Sequence, residues 1–148
     1  MSLRAWIAIR APGLALRLFT LSAAELGIVG EELAARAAHA QGYRLLGQRL
    51  RTKSGEIDLL AQHEGALVAL EVKTTLATRV PAPAAGGMRL VNRPLERWKP
   101  EQARRLEQAL AEYARAEGFS GLPRRIDAVE VVLEAGRPPE LRILRGIR

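Results

Sequence analysis

The sequence predicts a single α/β domain in which a mixed β-sheet is flanked by helices. The chain of 148 residues is long enough for one domain with one hydrophobic core. Its periodic segments follow the order helix, three strands, helix, strand (a core order of αβββαβ), with one more strand at the end. This order is typical of a sheet covered by helices. The third strand begins with apolar residues at every position from 66 to 70, as expected for a central strand with both faces buried.

A helix over residues 23–41 is the first element expected in this domain. Ser22 and Glu25 have the spacing of a capping box, in which each side chain satisfies a backbone N–H group of the first helical turn. Gly42 is placed to end the helix, because glycine readily adopts the left-handed conformation found beyond helix C-termini.

Three strands and a hairpin follow this helix. Residues 62–65 are short enough to connect the second strand to the third as a hairpin, and we expect Ala61 to pair with Ala66. The three strands are expected at residues 43–50, 55–61 and 66–75.

Residues 76–97 form the irregular part of the sequence, since they are rich in Pro and Gly. A loop of this length is commonly either functional or disordered. As a flap facing a substrate, this stretch and Lys99, two residues after it, would supply basic side chains for nucleic-acid binding. As a tolerated insertion, it would have no such role. The candidate residues for nucleic-acid binding are Arg79, Arg89, Arg93, Arg97 and Lys99.

A second long helix and two strands complete the domain. The helix is expected to begin at Pro100, a favoured residue type in a first turn, and to end before Gly118. The strands are expected at residues 125–133 and 141–144.

Residues 1–21 are predicted to be an amphipathic, basic extension that precedes a domain of residues 22–148. Arg10, Pro12 and Arg17 interrupt its apolar residues, so no run reaches the roughly 20 residues of a membrane span. It also lacks the continuous apolar segment of a secretory signal. We therefore expect no stable membrane insertion. The segment either lies on a membrane surface or packs on its own domain.

The charge balance favours a polyanionic partner. Lys and Arg number 23 against 16 Asp and Glu, for a net charge of +7. Nucleic acid and an anionic membrane surface both fit, and a basic proteome is the alternative explanation. Aromatic residues make up only 4%, which argues against binding through platforms of stacked rings. The chain has no Cys, which excludes disulfides and favours a cytoplasmic location.

Glu71 and Lys73 are the first pair of residues that indicates chemistry. Side chains alternate along a strand, so both point to the same face of the sheet. Charged groups at the end of a buried strand are costly unless they are paired or bound to a ligand. Taken alone, a Glu-x-Lys sequence is more commonly a structural ion pair.

The neighbouring strand changes that balance. If Ala61 pairs with Ala66, then Glu56 lies opposite Glu71, and Asp58 lies diagonal to Glu71 on the same face. A shift of one residue would send Asp58 to the opposite face, so the prediction depends on the register.

Several carboxylates beside one lysine favour a bound cation. Oxygen ligands without Cys or His indicate Mg²⁺ or Mn²⁺ rather than zinc. Such an ion can activate water and stabilise charge on a phosphoryl group. We therefore predict a divalent-metal site formed by Asp58 and Glu71, with Glu56 as an additional candidate and Lys73 assisting the nucleophile or the transition state.

Five motifs in this order resemble the YraN-type family of uncharacterised bacterial endonuclease-like proteins, over about residues 26–132. The resemblance implies the PD-(D/E)xK nuclease superfamily, a restriction-endonuclease-like fold, and a likeness to archaeal Holliday junction resolvases. The motifs are Gly30-Glu31, Gly42-Tyr43, Gly55-Glu56-Ile57-Asp58-Leu59, Leu70-Glu71-Val72-Lys73 and Arg125-Ile126-Asp127.

The same resemblance assigns roles to further residues. Asp58, Glu71 and Lys73 match the two acids and the lysine of the superfamily motif. Glu31 resembles an additional metal-associated Glu. Helical periodicity does not choose between Glu31 and Glu32, and the Gly-Glu motif favours Glu31. Where the family usually has a Lys on the second helix this chain has Gln102, a residue that related nucleases tolerate.

The leading hypothesis is a metal-dependent nuclease acting on DNA, with branched or structured DNA as one substrate class. A homodimer would suit an enzyme that cuts two strands. One alternative is a nucleic-acid-binding module that keeps the nuclease scaffold without turnover. Another is a membrane-surface or scaffold protein that uses residues 1–21.

Other conspicuous side chains receive structural roles. His63 has no second His or Cys at ligand spacing and is expected at the surface. Trp6 and Trp98 are expected to be packing anchors, and Trp98, beside Arg97 and Lys99, has contact with a nucleotide as its alternative role. Asp127 is expected to pair with Arg125 or a nearby arginine.

Overall fold

Four helices and seven strands make up the part of the chain that the computed structural model describes, residues 1–81, 88–90 and 93–148. Side chains are described at all of these positions except 80, 81, 88, 89, 94 and 97. The helices are α1 (Leu3–Arg10), α2 (Pro12–Leu18), α3 (Ala23–Ala40) and α4 (Pro100–Ala116), and a short 3₁₀ helix spans Pro94–Arg97. The strands are β1 (Arg44–Arg51), β2 (Glu56–His63), β3 (Ala66–Leu76), β4 (Arg79–Pro81), β5 (Met88–Leu90), β6 (Arg124–Leu133) and β7 (Glu140–Leu144).

Five strands form the main sheet, in the order β1-β2-β3-β6-β7. β3 and β6 are parallel, and the other neighbouring pairs are antiparallel. β3 and β6 can pair in parallel because α4 connects them as a crossover on one face of the sheet. The predicted mixed α/β sheet is confirmed, and its architecture is consistent with a restriction-endonuclease-like fold.

A hydrophobic core lies on each face of the sheet. On one face α3 packs through Val29, Leu33 and Ala34 against inward-facing residues such as Val68 and Val129. On the other face α4 supplies Ala103, Leu106 and Leu110 over Leu67 and Ile126. Both faces of β3 are therefore covered, which agrees with its continuous apolar run from Ala66 to Leu70.

The N-terminal helices pack on the same core as α3. Ala5, Ala8, Ile9 and Ala15 are buried in that cluster. The capping box predicted for α3 is confirmed, because the Ser22 hydroxyl accepts from the Glu25 N–H and the Glu25 carboxylate accepts from the Ser22 N–H. None of the helices in the described ranges is both long and apolar enough to span a bilayer.

The β2–β3 hairpin differs from the expected register by two residues. His63 pairs with Ala66, so Ala61 lies opposite Val68 and not opposite Ala66. The turn contains only Glu64 and Gly65, at φ +50° and +76°. Positive φ at both central positions is the geometry of tight two-residue hairpin turns, whose twist matches that of the strands. A shift of two residues preserves the face of every side chain, so Asp58 stays on the face of Glu71.

The stretch predicted to be irregular contains short regular elements. β3 continues to Leu76, and β4 and β5 pair as a small two-stranded sheet. The 3₁₀ helix then leads to α4. Residues 82–87 and 91–92 of this stretch lie outside the described residues.

Candidate metal centre on the central hairpin

Asp58 lies where the β2–β3 ladder opens. The last paired residues are Leu59 and Leu70, which makes Asp58 and Glu71 the next two opposed positions. There the Val72 N–H donates to the Asp58 carboxylate at 2.8 Å. The side chain thus takes over a backbone donor that the separating strands leave without a ladder partner.

A cavity of about 220 Å³ brings four of the predicted site residues together: its lining includes Glu56, Asp58, Glu71 and Gln102. Glu56 and Asp58 come from β2, Glu71 from β3 and Gln102 from the first turn of α4. Oxygen donors from three elements therefore surround one space.

The acidic residues of this region differ in their partners. Glu71 contacts the Lys73 ammonium. Glu56 accepts from Arg51 at 3.2 Å, and Glu31 accepts from Arg49. Among these acids in the described part of the chain, Asp58 alone has no ion pair.

Asp58 is also the acid with the strongly altered pKa. Burial raises the pKa of its carboxyl from 3.8 to about 7, and the negative charge of Glu71 acts in the same direction. The Val72 N–H and the Lys73 ammonium oppose this rise without cancelling it. A buried carboxyl beside a second carboxylate keeps its proton near neutral pH unless a cation approaches.

Glu31 is placed beside this cavity and not in its wall. It lines a neighbouring cavity with Lys73. Arg49 donates to both of its carboxylate oxygens, at 2.6 and 3.1 Å. Arg49 has φ +49°, a left-handed conformation that costs a non-glycine residue about 1 kcal/mol or more. The ion pair with Glu31 helps to hold Arg49 in that conformation. Glu32 pairs instead with Arg36 on the same helix.

The donor set fits a hard divalent cation, although it is not a closed ligand cage. Across the residues described, no three His, Cys, Asp or Glu side chains group closely enough to hold a metal ion. The central pair is Asp58 and Glu71, with Glu56 and Gln102 in the same wall. Carboxylate and amide oxygens are the ligands that Mg²⁺ and Mn²⁺ prefer. A cation there would also compensate the negative charge of Asp58 and favour the ionised form of its carboxyl.

Gln102 is held by its own helix. Its side-chain oxygen accepts from the Lys99 N–H at 3.2 Å, which caps the first turn of α4. The side chain is thereby fixed at the cavity wall. Lys99 itself is exposed just before the helix.

The predicted nucleic-acid-binding arginines are not equivalent in the structure. Arg79 lies between Glu134, at 2.8 Å, and Glu140, so two acids already neutralise its charge. Arg93 lies 3.6 Å from the buried Glu130 and stays partly exposed. The side chains of Arg89 and Arg97 lie outside the described residues.

Glu130 was not identified from the sequence. It is 2% exposed on β6, beside Lys73 in the parallel register. Its carboxylate accepts from the Leu95 N–H at 3.1 Å, and Arg93 and Arg142 lie near it. Glu130 thus ties the 3₁₀ helix to the sheet next to the site. The available signal was an acid within the apolar run from Ala128 to Leu133.

A second polar network lies at the far end of β2. Asp127 is fully buried and accepts from the Tyr43 hydroxyl at 2.7 Å, from Arg125 and from the Gly146 N–H. The expected pairing of Asp127 with Arg125 is confirmed. His63 is buried and stacks on Tyr43 with ring centroids 3.8 Å apart, so its expected surface position was wrong. Its partners lie far away in sequence, and spacing along the chain could not show them.

The resemblance noted from the motifs is confirmed by comparison with known proteins. A model of the family described as "Uncharacterised protein family UPF0102" matches residues 30–131. UPF0102 proteins of Leifsonia xyli subsp. xyli and Renibacterium salmoninarum are each 37% identical over 123 residues, which cover 83% of this chain and 95% of each relative. One from Symbiobacterium thermophilum is 37% identical over 117 residues, 79% of this chain and 88% of the relative.

Proposed function

Because this chain belongs to the uncharacterised protein family UPF0102, whose name assigns no chemistry, we propose its function from the site: a divalent-metal-dependent nuclease that hydrolyses phosphodiester bonds in DNA. One observation carries the proposal. Asp58 is a largely buried carboxyl without an ion-pair partner among the described residues, and it stands beside Glu71 and Lys73 at the opening of two strands.

The chain's own residues have distinct roles in this proposal. Asp58 and Glu71 would hold Mg²⁺ or Mn²⁺, and the bound ion would supply Lewis acidity and lower the pKa of water. The Lys73 ammonium, which pairs with Glu71 in this structure, would orient the attacking water or donate hydrogen bonds to the phosphoryl oxygens as negative charge develops. The Gln102 amide would orient a phosphate at the cavity wall. Glu31 would join the set once Arg49 releases it.

The substrate class follows from charge. The net charge of +7 favours a polyanion, and phosphodiesters are the polyanions that this donor set can hydrolyse. The likeness to resolvases adds branched DNA to the substrates to be tested. A dimer is expected if both strands of a junction are cut, and light scattering of the protein with and without a junction measures it.

A cleavage assay tests the proposal directly. The purified chain would be incubated with Mg²⁺ or Mn²⁺ and with linear, nicked, single-stranded and four-way DNA. We expect cleavage that EDTA abolishes and that Asp58→Asn lowers by a factor of at least about 10³, as for loss of a central catalytic group. Glu117→Gln is the matched control, since this acid is exposed at the end of α4 and should leave the rate unchanged.

The alternative without turnover makes a different prediction. A binding module would retain DNA in both the native chain and the Asp58→Asn variant and would cut none of the substrates with either ion. That result would reject the nuclease and retain the nucleic-acid interface.

A further inference from the structure

A cleft of about 440 Å³ lies beside Glu31, which also lines the cavity next to Lys73. Its lining includes Trp6 and Arg10 from α1, Glu31 and Arg36 from α3, and Arg49 from β1. Small-ligand sites in proteins commonly measure roughly 300–1,000 Å³. Glu31 lines both this cleft and the cavity next to Lys73, and its negative charge acts on the Asp58 carboxyl. The cleft therefore lies within electrostatic range of the proposed metal centre.

Trp6 gives the cleft an aromatic surface. Its side chain is 45% exposed, so the expectation that it is a packing anchor was wrong. The opposite side of α1 is the packed side, where Ala5 and Ala8 are fully buried. The Arg10 guanidinium lies 4.0 Å from the centre of the Trp6 ring. With one guanidinium over the ring, the side chain is still 45% exposed, so part of its surface is left for a planar partner.

The charges around the ring favour an anion. Arg36 and Arg49 each contact one acid of α3, yet their side chains are 52% and 50% exposed. A guanidinium has five N–H donors, so one carboxylate partner leaves donors that face solvent. Arg10 forms no ion pair with any residue that the structure describes. The charged side chains that line the cleft are therefore three arginines and two glutamates, Glu31 and Glu32, with an excess of positive charge.

We infer that this cleft binds one unstacked nucleobase of a DNA strand together with its adjacent phosphate, and so presents single-stranded or distorted DNA to the metal centre. The base stacks on Trp6, and Arg10, Arg36 and Arg49 contact the phosphate. This inference rests on the proposed nuclease function, since it names the DNA structure which that site would receive. A single ring suffices for one base, so the low aromatic content is no obstacle.

A lipid surface is the other partner that an apolar and basic segment could suit. Leu14 and Leu18 of α2 are 55% and 64% exposed, but neither lines the cleft. The concave shape and the arginines around one indole fit a base and its phosphate better than a flat bilayer. Anionic vesicles are therefore included as a competing ligand in the test.

Fluorescence of Trp6 gives a readout that does not depend on cleavage. The chain has two tryptophans, so Trp98→Phe leaves Trp6 as the only one. In metal-free buffer we expect saturable quenching by an oligothymidylate of about twelve nucleotides, because stacking brings a base onto the indole. A chain of abasic nucleotides of equal length carries the same phosphates and should not quench, nor should a paired duplex.

Affinity measurements with Trp6 variants complete the test. By fluorescence anisotropy, Trp6→Ala is expected to weaken binding of the oligothymidylate about tenfold, the usual effect of losing one stacked base. Binding of the duplex should change less than about twofold. Leu18→Ala is the matched control, since this apolar side chain of α2 is exposed and does not line the cleft, and it should change neither. Trp6→Phe keeps a ring and should retain most of the affinity, which guards against misfolding of the alanine variant.

The outcomes separate this inference from the nuclease proposal. Equal loss of duplex and single-strand affinity in Trp6→Ala, or quenching by anionic vesicles and not by oligothymidylate, would overturn the base-binding cleft. If the chain cuts DNA but Trp6 is not quenched, the cleft is refuted and the nuclease stands. If Trp6 is quenched selectively by the oligothymidylate and no DNA is cut, the cleft stands and the nuclease is refuted.

Discussion

At the scale of single residues, the buried carboxyl of Asp58 is expected to lower the stability of the fold when it is ionised. Burial and the adjacent Glu71 both disfavour its ionised form and raise its pKa to about 7. A carboxyl whose pKa is higher in the folded chain than in the unfolded chain stabilises the fold only while it is protonated. The folded state is therefore expected to lose stability as pH rises from about 4 to about 7.

Asp58→Asn tests this penalty, because an amide keeps the acceptor for the Val72 N–H and carries no charge. In metal-free buffer the variant should be more stable than the native chain, and its advantage should grow by at most roughly 2–3 kcal/mol between pH 5 and pH 8. Thermal unfolding at both pH values measures it as a widening gap of several degrees. An advantage of the same size at both pH values would contradict the assignment. Glu117→Gln is again the control.

Asp127 shows the opposite balance. Burial raises the pKa of its carboxyl, but hydrogen bonds from Arg125, Gly146 and Tyr43 together lower it below the ordinary value. The stability that it contributes is fully present above the unfolded pKa of about 3.9, and it is lost as pH falls through the lower folded pKa.

Tyr43→Phe removes one of these hydrogen bonds and leaves the ring. We expect a loss of about 1–3 kcal/mol at pH 7, the usual value for a hydrogen bond to a buried charge, and acid unfolding that begins at a higher pH. Thermal unfolding and acid titration followed by circular dichroism measure both effects. Tyr113→Phe removes a hydroxyl from the partly buried ring on α4 and should change neither. Equal losses in the two variants would argue against the network.

At the scale of elements, the approach of α3 to β3 sets the position of Glu31. A Cβ atom added at Gly30 would lie 1.7 Å from the Thr74 hydroxyl oxygen, so only glycine permits this contact without a shift. Gly27 lies nearly one turn earlier on the same helix, and a Cβ there meets nothing within 4 Å.

These two glycines form a matched pair for mutation. Gly30→Ala should destabilise the chain by roughly 1–3 kcal/mol, because the helix and strand must separate. Gly27→Ala should stabilise it by about 0.5–1 kcal/mol through the higher helix propensity of alanine. Chemical denaturation of both variants gives the two values. Destabilisation by Gly27→Ala equal to that by Gly30→Ala would show that close packing at Gly30 is not the cause.

The hairpin shows what sequence reasoning reached and what it missed. Alternation along the strands fixed the face of Asp58 and Glu71, and the motifs indicated which residues to combine. The turn was misjudged because strand propensity does not reveal that Glu64 adopts a positive φ. The error was an even number of residues, so the prediction of a shared face survived it.

At the scale of the whole molecule, the order of helices and strands followed from periodicity and capping, which are local properties. The features of the site that were missed depend on contacts between distant residues. The pairing of Glu31 with Arg49, the burial of His63 and the role of Glu130 each need a partner that the three-dimensional fold supplies. The cleft beside Trp6 needs α1, α3 and β1 together.

The net charge of +7 should appear as a strong salt dependence of DNA binding. Each phosphate that the protein neutralises releases condensed counterions, so the logarithm of the binding constant falls linearly with the logarithm of salt concentration. For about five such contacts, affinity should fall several-hundredfold when salt is raised fourfold. Anisotropy with the Asp58→Asn variant measures this without cleavage.

Two arginine variants test which side chains contact the phosphates. In the Asp58→Asn background, Arg10→Gln should lower the slope by about 0.9, the value for one phosphate contact. Arg79→Gln should leave the slope unchanged, because Glu134 and Glu140 already neutralise the charge of that guanidinium. Equal slopes for Asp58→Asn with and without Arg10→Gln would place the DNA backbone away from α1 and therefore away from the cleft.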